Sequence, residues 1–465
     1  MISEGRNVIG DGVVLLSAQN HRGEQACGAV VSDGRKLHSH YGEGKVPEVF
    51  GARDQAKWSK LKGSVCVMHA LYSTIGGKGD KKQPKTRQPV LFKFRGRYGA
   101  VSHNGNIVRL EGLRRQIRPW YTFKSKKSDT EVIAALLTIS KKKDFLEALV
   151  EVLKMIEGKG SFSLVIMYGG KLYGVRDQNG IRPLCIIKKN GKNGDHDSYV
   201  FASETCVFTS LEATSVIRSV EAGELVIMGL EGIERSVQWT DNVKPALCAN
   251  EFVYFAHPAS KLCLGCSVYK FRVQAGRMSA KKHPAKANVV VAIPDSGRGF
   301  ADGFAQQSGI VNLQGLIKNS NAGRTFLQPR DVSRADLQRA KLQALPDVME
   351  GKRVCLVEDS IFRGSVGRMV IKMCREHGRA VRVHKRVGSP PILHRCHLGI
   401  DIATKGELVA TGRTIDQIRD FLHADSLMYL TIEEFREVFR RCGINPDHVC
   451  MGCYTGEYPV SPPAE

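Results

Sequence analysis

The second half of the chain alternates short runs of β-branched residues with stretches of helical periodicity. The runs fall at 289–293, 354–357 and 381–387, and the helical patterns include 299–308 and 365–377. This alternation is typical of a mostly parallel α/β sheet, in which each helix returns the chain to the start of the next strand. We expect the last of these helices to end at Gly378, because glycine commonly stops a helix.

Two loops in this half carry matching chemistry. The sequences PDSG at 294–297 and EDSIFRGS at 358–365 each place an acid and a serine in a glycine-containing turn before a helix. Ligands bind beyond the carboxyl ends of parallel strands, so we expect the two loops to share one site. Such turns bind phosphate, and paired carboxylates accept hydrogen bonds from a ribose diol. Structural turns and helix caps explain most isolated acid pairs, and no Walker-type Gly-Lys-Ser/Thr is present.

Length and composition limit the classes of protein. A chain of 465 residues is longer than one core usually organises, so we expect two domains. No apolar run approaches the ~20 residues of a membrane helix, and the N-terminal segment lacks secretory features. We therefore expect a soluble, cytoplasmic protein. The 13 cysteines have no regular spacing, which indicates reduced thiols or metal ligands instead of a disulfide framework.

The chain is strongly basic, with a formal net charge of +23. This charge favours polyanionic partners: nucleic acid, a membrane surface or a heavily phosphorylated small molecule. The short basic runs are typical of solvated faces, so charge alone does not choose among these partners.

The motif VEDSIFRGS resembles the phosphoribosyl pyrophosphate (PRPP) site of type I phosphoribosyltransferases. Around it, VAIPDSG, GLIKN, GRTF, VGSPP, GIDIATKGELVA and CMGCYTGEYPV resemble the glutamine PRPP amidotransferases, which catalyse the first committed step of purine synthesis. In the first half, NHRGEQACGAVVSDGRKL, SHNGN, SDTEV, DQNGIRPL and FASETC resemble the glutaminase domain of the same family. The motifs follow the family's order along almost the whole chain.

The resemblance implies a fold of mixed α+β and α/β class. Residues 1–240 would form an N-terminal-nucleophile-type αββα sandwich, the glutaminase-like domain. Residues 241–465 would form a type I phosphoribosyltransferase α/β domain with a helical, cysteine-containing C-terminal extension.

The resemblance also implies a PRPP site. Glu358 and Asp359 would hold the ribose hydroxyls, and Ser360, Arg363, Gly364 and Ser365 would cradle the 5′-phosphate. Asp295 and Ser296 would lie near the pyrophosphate, with Mg²⁺ near Ser296, Glu358 and Asp359. Lys318 and Arg324 would belong to a loop that closes over PRPP. The family usually has an aromatic residue in that loop, where this chain has Ser320-Asn321-Ala322.

The glutaminase motifs depart from the family pattern. Family members begin, once processed, with a cysteine nucleophile in a Cys-Gly-Ile strand, and the segment from Met1 is too short to contain it. Ser3 is a poor substitute. Leu71 stands where the family has the arginine that binds the glutamine carboxylate, and a different start codon would not change that. Asn104, Gly105 and Asp129 match the family's oxyanion-hole and glutamine-amine positions, so we expect a remnant site with impaired or absent glutaminase activity.

Four cysteines match a metal site of one branch of the family. That branch holds an iron–sulfur cluster on four thiolates, and Cys248, Cys396, Cys450 and Cys453 fall at the matching places. The resemblance thus implies a [4Fe–4S] cluster. Unligated thiols remain an alternative, as does a zinc site that combines the CxxC pairs at 263–266 and 450–453.

The sequence therefore predicts an amidophosphoribosyltransferase-like enzyme that forms 5-phosphoribosylamine and pyrophosphate from PRPP and ammonia. We expect PRPP, ammonia or glutamine, purine nucleotides as feedback inhibitors and further copies of the chain as partners, and neither a membrane nor nucleic acid. One alternative is a non-catalytic PRPP-sensing regulator that binds nucleic acid through its positive charge. Another is a structural subunit without either activity.

Overall fold

The computed structural model of the chain describes residues 1–72, 87–125, 127–191, 195–212, 215–262, 265–319, 342–400 and 405–462. Within these ranges, no helix has both the length and the apolar character that crossing a membrane requires.

Two antiparallel sheets form the first half of the chain. The seven-stranded sheet has the spatial order Ser215–Ser219, Cys185–Lys189, Ser198–Ala202, Ile2–Ser3, Val65–Leu71, Ala26–Ser32 and Leu37–Glu43. The six-stranded sheet has the order Gly232–Gln238, Glu224–Gly229, Lys171–Arg176, Gly160–Tyr168, Arg97–Ile107 and Val90–Phe94.

Three apolar layers hold these sheets together. The layer between them contains Ile2, Val67 and Val226, and strand Ala26–Ser32 is buried along its whole length because both of its faces are covered. Outer layers lie under the helices, which are Ile9–Ala18, Val46–Val49, Gln55–Trp58, Glu111–Ile117, Asp129–Ile139, Phe145–Ile156 and Val207–Ser210. Short 3₁₀ turns cover Asn20–Arg22 and Ala52–Asp54. The predicted αββα sandwich is confirmed.

A parallel sheet forms the centre of the second half. Its strands lie in the order Val289–Ala292, Arg353–Glu358, Arg382–Val387 and Ser426–Met428. The α-helices of this half are Val268–Lys282, Arg298–Ser308, Pro346–Met349, Ser365–Glu376, Ile415–Leu422, Ile432–Arg441 and Gly452–Thr455. Two small sheets pair Leu316–Lys318 with Leu342–Ala344 and Leu247–Cys248 with Val449–Cys450, and shorter helical turns cover Glu251–Phe255, Lys405–Glu407 and Pro446–His448. This arrangement confirms the predicted α/β architecture.

The register of the parallel strands brings their carboxyl ends to one edge. Ala292 pairs with Val357, and Glu358 pairs with Val387 on the next strand. The loops that follow Ala292 and Glu358 consequently leave the sheet side by side.

The expected helix stop at Gly378 is wrong in its detail. The helix ends at Glu376, and Arg379, not Gly378, has the left-handed backbone, with φ of 54°. Gly378 is needed for space instead, since a Cβ there would lie 2.7 Å from the Cys374 carbonyl oxygen.

A buried charge network joins the two halves. Arg22 donates to both carboxylate oxygens of Glu251 at 2.9 Å and to Glu204 at 2.5 Å. Arg182 reaches Glu251 at 2.8 Å, and both guanidinium groups lie over the ring of Phe255. Because the pairs are desolvated, they fix the first half against the segment that opens the second.

Candidate active site

The two predicted ligand loops meet at Asp359. Ser296 Oγ donates to Asp359 Oδ1 at 2.5 Å, and Ser360 Oγ donates to Oδ2 at 2.5 Å. Ser296 belongs to the loop after Ala292, whereas Asp359 and Ser360 follow Glu358 on the neighbouring strand. The two loops are thus in contact, and that they bind one ligand stays a prediction.

The two acids of the motif are both buried, yet they have different partners. Burial raises the pKa of Asp359, and the hydroxyls of Ser296 and Ser360 oppose that rise. Burial likewise raises the pKa of Glu358, opposed by the ammonium of Lys385, whose Nζ lies 2.5 Å from Glu358 Oε2. Hydroxyl donors thus stabilise one carboxylate and an internal cation stabilises the other.

Asp295 lies at the exposed rim of this site. Lys318 Nζ contacts Asp295 Oδ2 at 2.6 Å, and Arg298 reaches its other oxygen at 3.4 Å. Asp295 and Lys318, which the sequence analysis assigned separately to the PRPP site, therefore contact each other. Arg324 and the segment Ser320-Asn321-Ala322 lie outside the described residues.

The loop at 360–365 forms the entrance to a twelve-residue helix that starts at Ser365. Gly364 has φ of 74°, a left-handed conformation that glycine adopts without strain, and a Cβ there would lie 2.9 Å from the Phe421 ring. The free N–H groups of this helix start suit a phosphate. Arg363 instead pairs with Glu407, at 2.5 Å, and its side chain is exposed.

Sequence reasoning missed two basic residues beside the acids. Lys385 is one of them. The sequence feature that could have identified it is a lysine within the strand-like run at 381–387. Arg272 is the other: it donates to the carbonyl oxygens of Phe252, Tyr254 and Ala256, and its charge opposes the rise that burial causes in the pKa of Asp359. Nothing in its helical sequence context distinguished Arg272.

The glutaminase-like residues gather in the first half. Asn104 and Gly105 lie on strand Arg97–Ile107, and the buried Asn104 Nδ2 has no hydrogen-bond partner. Asp129 opens the helix Asp129–Ile139 and accepts from the backbone N–H of Ile107 at 3.0 Å.

Two histidines missed by the sequence analysis complete this group. His103 Nδ1 lies 3.4 Å from Asp129 Oδ2. Burial alone would raise the pKa of Asp129, but His103 and backbone N–H donors lower it. Burial lowers the pKa of His69 to about 3, which keeps that ring neutral.

Leu71 ends the strand Val65–Leu71 and pairs with Ala26 on the neighbouring strand. Its carbonyl oxygen accepts from the backbone N–H of Gln25 at 3.2 Å. His69 precedes it by two positions on the same strand. The leucine thus brings an uncharged aliphatic side chain to the end of the strand that carries His69.

The four predicted cluster cysteines lie in one region, where Cys248 and Cys453 are buried and Cys396 and Cys450 are half-buried. Cys248 pairs with Cys450 across a short parallel ladder, and Asn250 Nδ2 donates to Cys453 Sγ at 3.1 Å. Burial, followed by the charges of the other three thiols, raises the pKa of Cys453. Within the described residues, no three His, Cys, Asp or Glu side chains are close enough to hold a single ion.

A four-iron cluster is wider than one ion, so its thiolates stand further apart than the ligands of a single metal. Four cysteines, two of them buried and two half-buried, therefore fit such a cluster in number and chemistry. For the zinc alternative, Cys263 lies outside the described residues, and the thiol of Cys266 donates to the carbonyl oxygen of Ser267 at 3.3 Å.

Comparisons with known proteins agree with this architecture. Residues 79–210 match the model of a family described as a glutamine amidotransferase domain. An amidophosphoribosyltransferase of Bacillus subtilis is 38% identical over 96% of this chain and 90% of its own length. One of Methanocaldococcus jannaschii is 37% identical over 96% of this chain and 93% of its own.

Solved structures give the same result. Glutamine PRPP amidotransferase from B. subtilis, complexed with ADP and GMP, superposes with a TM-score of 0.85 at 35% identity, over 97% of this chain and 95% of that one. Fold and site thus define a glutamine amidotransferase sandwich joined to a phosphoribosyltransferase domain. More specifically, the chain belongs to the amidophosphoribosyltransferase family.

Proposed function

We propose that this chain forms 5-phosphoribosylamine and pyrophosphate from PRPP and ammonia, as an enzyme of purine synthesis. The observation that carries the proposal is the buried Asp359, which the hydroxyls of two separate loops hold at the carboxyl edge of the sheet. Residue 240 is kept as the proposed boundary between the two domains.

The chain's own residues account for most of the binding. Glu358 and Asp359 accept hydrogen bonds from the ribose hydroxyls. The 5′-phosphate is bound by the backbone N–H groups of Ser360, Gly364 and Ser365. Arg363 gives up its ion pair with Glu407 and binds the same phosphate. Asp295 and Ser296 face the pyrophosphate, while Lys318 and Arg324 supply positive charge beside it. Held in this way, the anomeric carbon is open to ammonia, which needs no general base.

The oxygen donors near Ser296, Glu358 and Asp359 suit Mg²⁺, which prefers carboxylate and hydroxyl oxygens together with substrate phosphates. When bound, Mg²⁺ would stabilise the negative charge that develops on departing pyrophosphate. Asp359 is already oriented for this environment by its two serine partners.

Ammonia is the proposed nitrogen donor, because Leu71 cannot pair with the glutamine carboxylate. Asn104, Gly105 and Asp129 are kept as a remnant of the glutaminase site. The unpartnered amide of Asn104 still offers a donor to an oxyanion, so the impairment would lie in substrate anchoring.

Cys248, Cys396, Cys450 and Cys453 would hold a [4Fe–4S] cluster, whose role in this chain would be to stabilise the fold. Purine nucleotides are proposed as feedback ligands, since a structural relative was solved with ADP and GMP. Self-association and a cytoplasmic location stay predictions.

Calorimetric titration of the protein with PRPP in the presence of Mg²⁺ tests the proposal. Asp359→Asn should weaken binding at least about tenfold, because charge-assisted hydrogen bonds to the ribose are lost. Asp420→Asn is the matched control, since Asp420 is exposed and pairs only with Arg419 among the described residues. Unchanged PRPP affinity in a folded Asp359→Asn protein would refute the proposed site.

A further inference from the structure

Lys385 is a fully buried lysine in an inner strand of the parallel sheet. It lies on Arg382–Val387, which has strands on both sides, and its relative exposure is 0%. Its backbone pairs with Leu356, two residues before Glu358. The side chain therefore extends toward the carboxyl edge, where Nζ lies 2.5 Å from Glu358 Oε2.

The environment on that face contains no other carboxylate partner for this lysine among the described residues. Cys374 of the helix Ser365–Glu376 lies close enough for the lysine's charge to act on its thiol. The neighbouring Arg386 has a separate task, since it donates to the carbonyl oxygens of His283 and Pro284. Among the described residues, the carboxylate that forms an ion pair with Lys385 is thus that of Glu358.

Other groups also face Glu358. Asp359 follows it in the chain and raises its pKa. The buried hydroxyl of Tyr429 lies nearby without a hydrogen-bond partner, and a Cβ at Gly367 would lie 3.8 Å from Glu358 Oε2. Lys385 is the one described cation that pairs with this acid.

Stability alone is a weak reason for such a pair. A buried ion pair is often matched or exceeded in stability by apolar residues of similar volume, because both charges must be desolvated. Removal of one partner, by contrast, leaves the other charge uncompensated. A role in ligand binding therefore accounts for this buried ion pair better than a role in stability does.

We propose that Lys385 is a positioning residue for PRPP, which holds Glu358 in place and cancels its charge beneath the phosphorylated ligand. This inference rests on the proposed function. PRPP brings several negative charges to a site that contains two adjacent carboxylates, and like charges in a buried site repel strongly. The lysine removes one of those charges while Glu358 Oε1 stays outside the ion pair and can accept from a ribose hydroxyl.

The test is a calorimetric titration of PRPP with Mg²⁺ into purified full-length variants. Lys385→Met keeps the length of the side chain and removes its charge, so it should weaken PRPP binding about tenfold. In a Glu358→Gln background, which itself loses ribose contacts, the charge that the lysine compensates is gone, so adding Lys385→Met should weaken PRPP binding by no more than about threefold relative to Glu358→Gln alone. Lys372→Met is the control, because Lys372 is exposed and pairs with Glu376 at 3.7 Å.

Each outcome decides the inference. Wild-type affinity in a folded Lys385→Met protein would overturn it, as a merely structural lysine would change stability alone. If Lys385→Met does not fold, the Glu358→Gln background decides, and a tenfold or greater loss of PRPP affinity between Glu358→Gln and the double variant overturns the inference. Wild type and Asp359→Asn are titrated alongside, because failure of wild type to bind PRPP would refute the proposed function itself and this inference with it.

Discussion

Ser296 donates a 2.5 Å hydrogen bond to Asp359, a residue 63 positions further along the chain. The contact joins the loops that follow two neighbouring parallel strands. It also orients a buried carboxylate. Burial raises the pKa of Asp359, and the hydrogen bonds from Ser296 and Ser360 oppose that rise. A hydroxyl from one loop therefore prepares the acid of the other for its ligand.

The first prediction concerns this hydrogen bond. Ser296→Ala should weaken PRPP binding about three- to tenfold, because Asp359 loses one of the two hydroxyl donors that orient it while Ser360 remains. Calorimetry with PRPP and Mg²⁺ measures the change. Ser308→Ala, at the far end of the helix Arg298–Ser308, should bind like wild type, and a Ser296→Ala protein of unchanged affinity would contradict the role.

The second prediction concerns nitrogen donors. Leu71→Arg should raise the affinity for glutamine about tenfold or more, because it supplies a bidentate partner for the substrate carboxylate. Leu230→Arg, a change at a partly exposed leucine elsewhere, should leave glutamine binding as it is. If the unaltered chain binds glutamine as tightly as Leu71→Arg does, the leucine is no obstacle.

The third prediction concerns the four thiols. Protein purified without oxygen should be brown and contain iron, and Cys450→Ser should lose both the colour and thermal stability, since cluster binding is coupled to folding. Cys374→Ser, at another buried cysteine, should keep the iron. If protein purified without oxygen contains no iron and is fully stable, the prediction that the four thiols hold a cluster is wrong.

The fourth prediction concerns the interface between the two halves. Arg22→Met should lower the free energy of unfolding by about 3–5 kcal/mol, because Glu204 and Glu251 would each lose a buried partner. Denaturant unfolding measures the loss. Arg419→Met removes two exposed ion pairs, with Asp416 and Asp420, and should leave the free energy of unfolding close to that of wild type.

The same network predicts a direction for the pH dependence of stability. Burial alone would raise the pKa of Glu204, but Arg22 and His21 hold it below its ordinary value. A carboxyl with a lowered folded-state pKa contributes full stability above its unfolded pKa of about 4.3 and loses it as the pH falls. Wild type should therefore lose more stability on acidification than Arg22→Met, and equal acid sensitivity would contradict this assignment.

Much of the fold and of the candidate site could be predicted from short sequence motifs. The β-branched runs, the acid pair at 358–359 and the turn before Ser365 are local signals, and the parallel arrangement followed from their alternation. The helix end at Gly378 was misjudged because the glycine is retained for close packing against Cys374, which depends on tertiary contacts.

Long-range partners could not be predicted in this way. The contact of Lys385 with Glu358 depends on strand register, and the pairing of Arg363 with Glu407 joins residues 44 positions apart. The unpartnered amide of Asn104 likewise emerges only from three-dimensional packing. The sequence motifs identified which residues carry the chemistry of the site. They did not identify the partners that compensate the charges of those residues.

Pyrophosphate release from PRPP and Mg²⁺, measured with ammonium and with glutamine side by side, reports on the proposed reaction itself. The account predicts release with ammonium that increases from neutral to alkaline pH, where more free ammonia is present, and negligible release with glutamine. Release with neither donor from folded, PRPP-binding protein would contradict the proposed enzyme. Release with glutamine at a rate comparable to that with ammonium would contradict the impaired glutaminase.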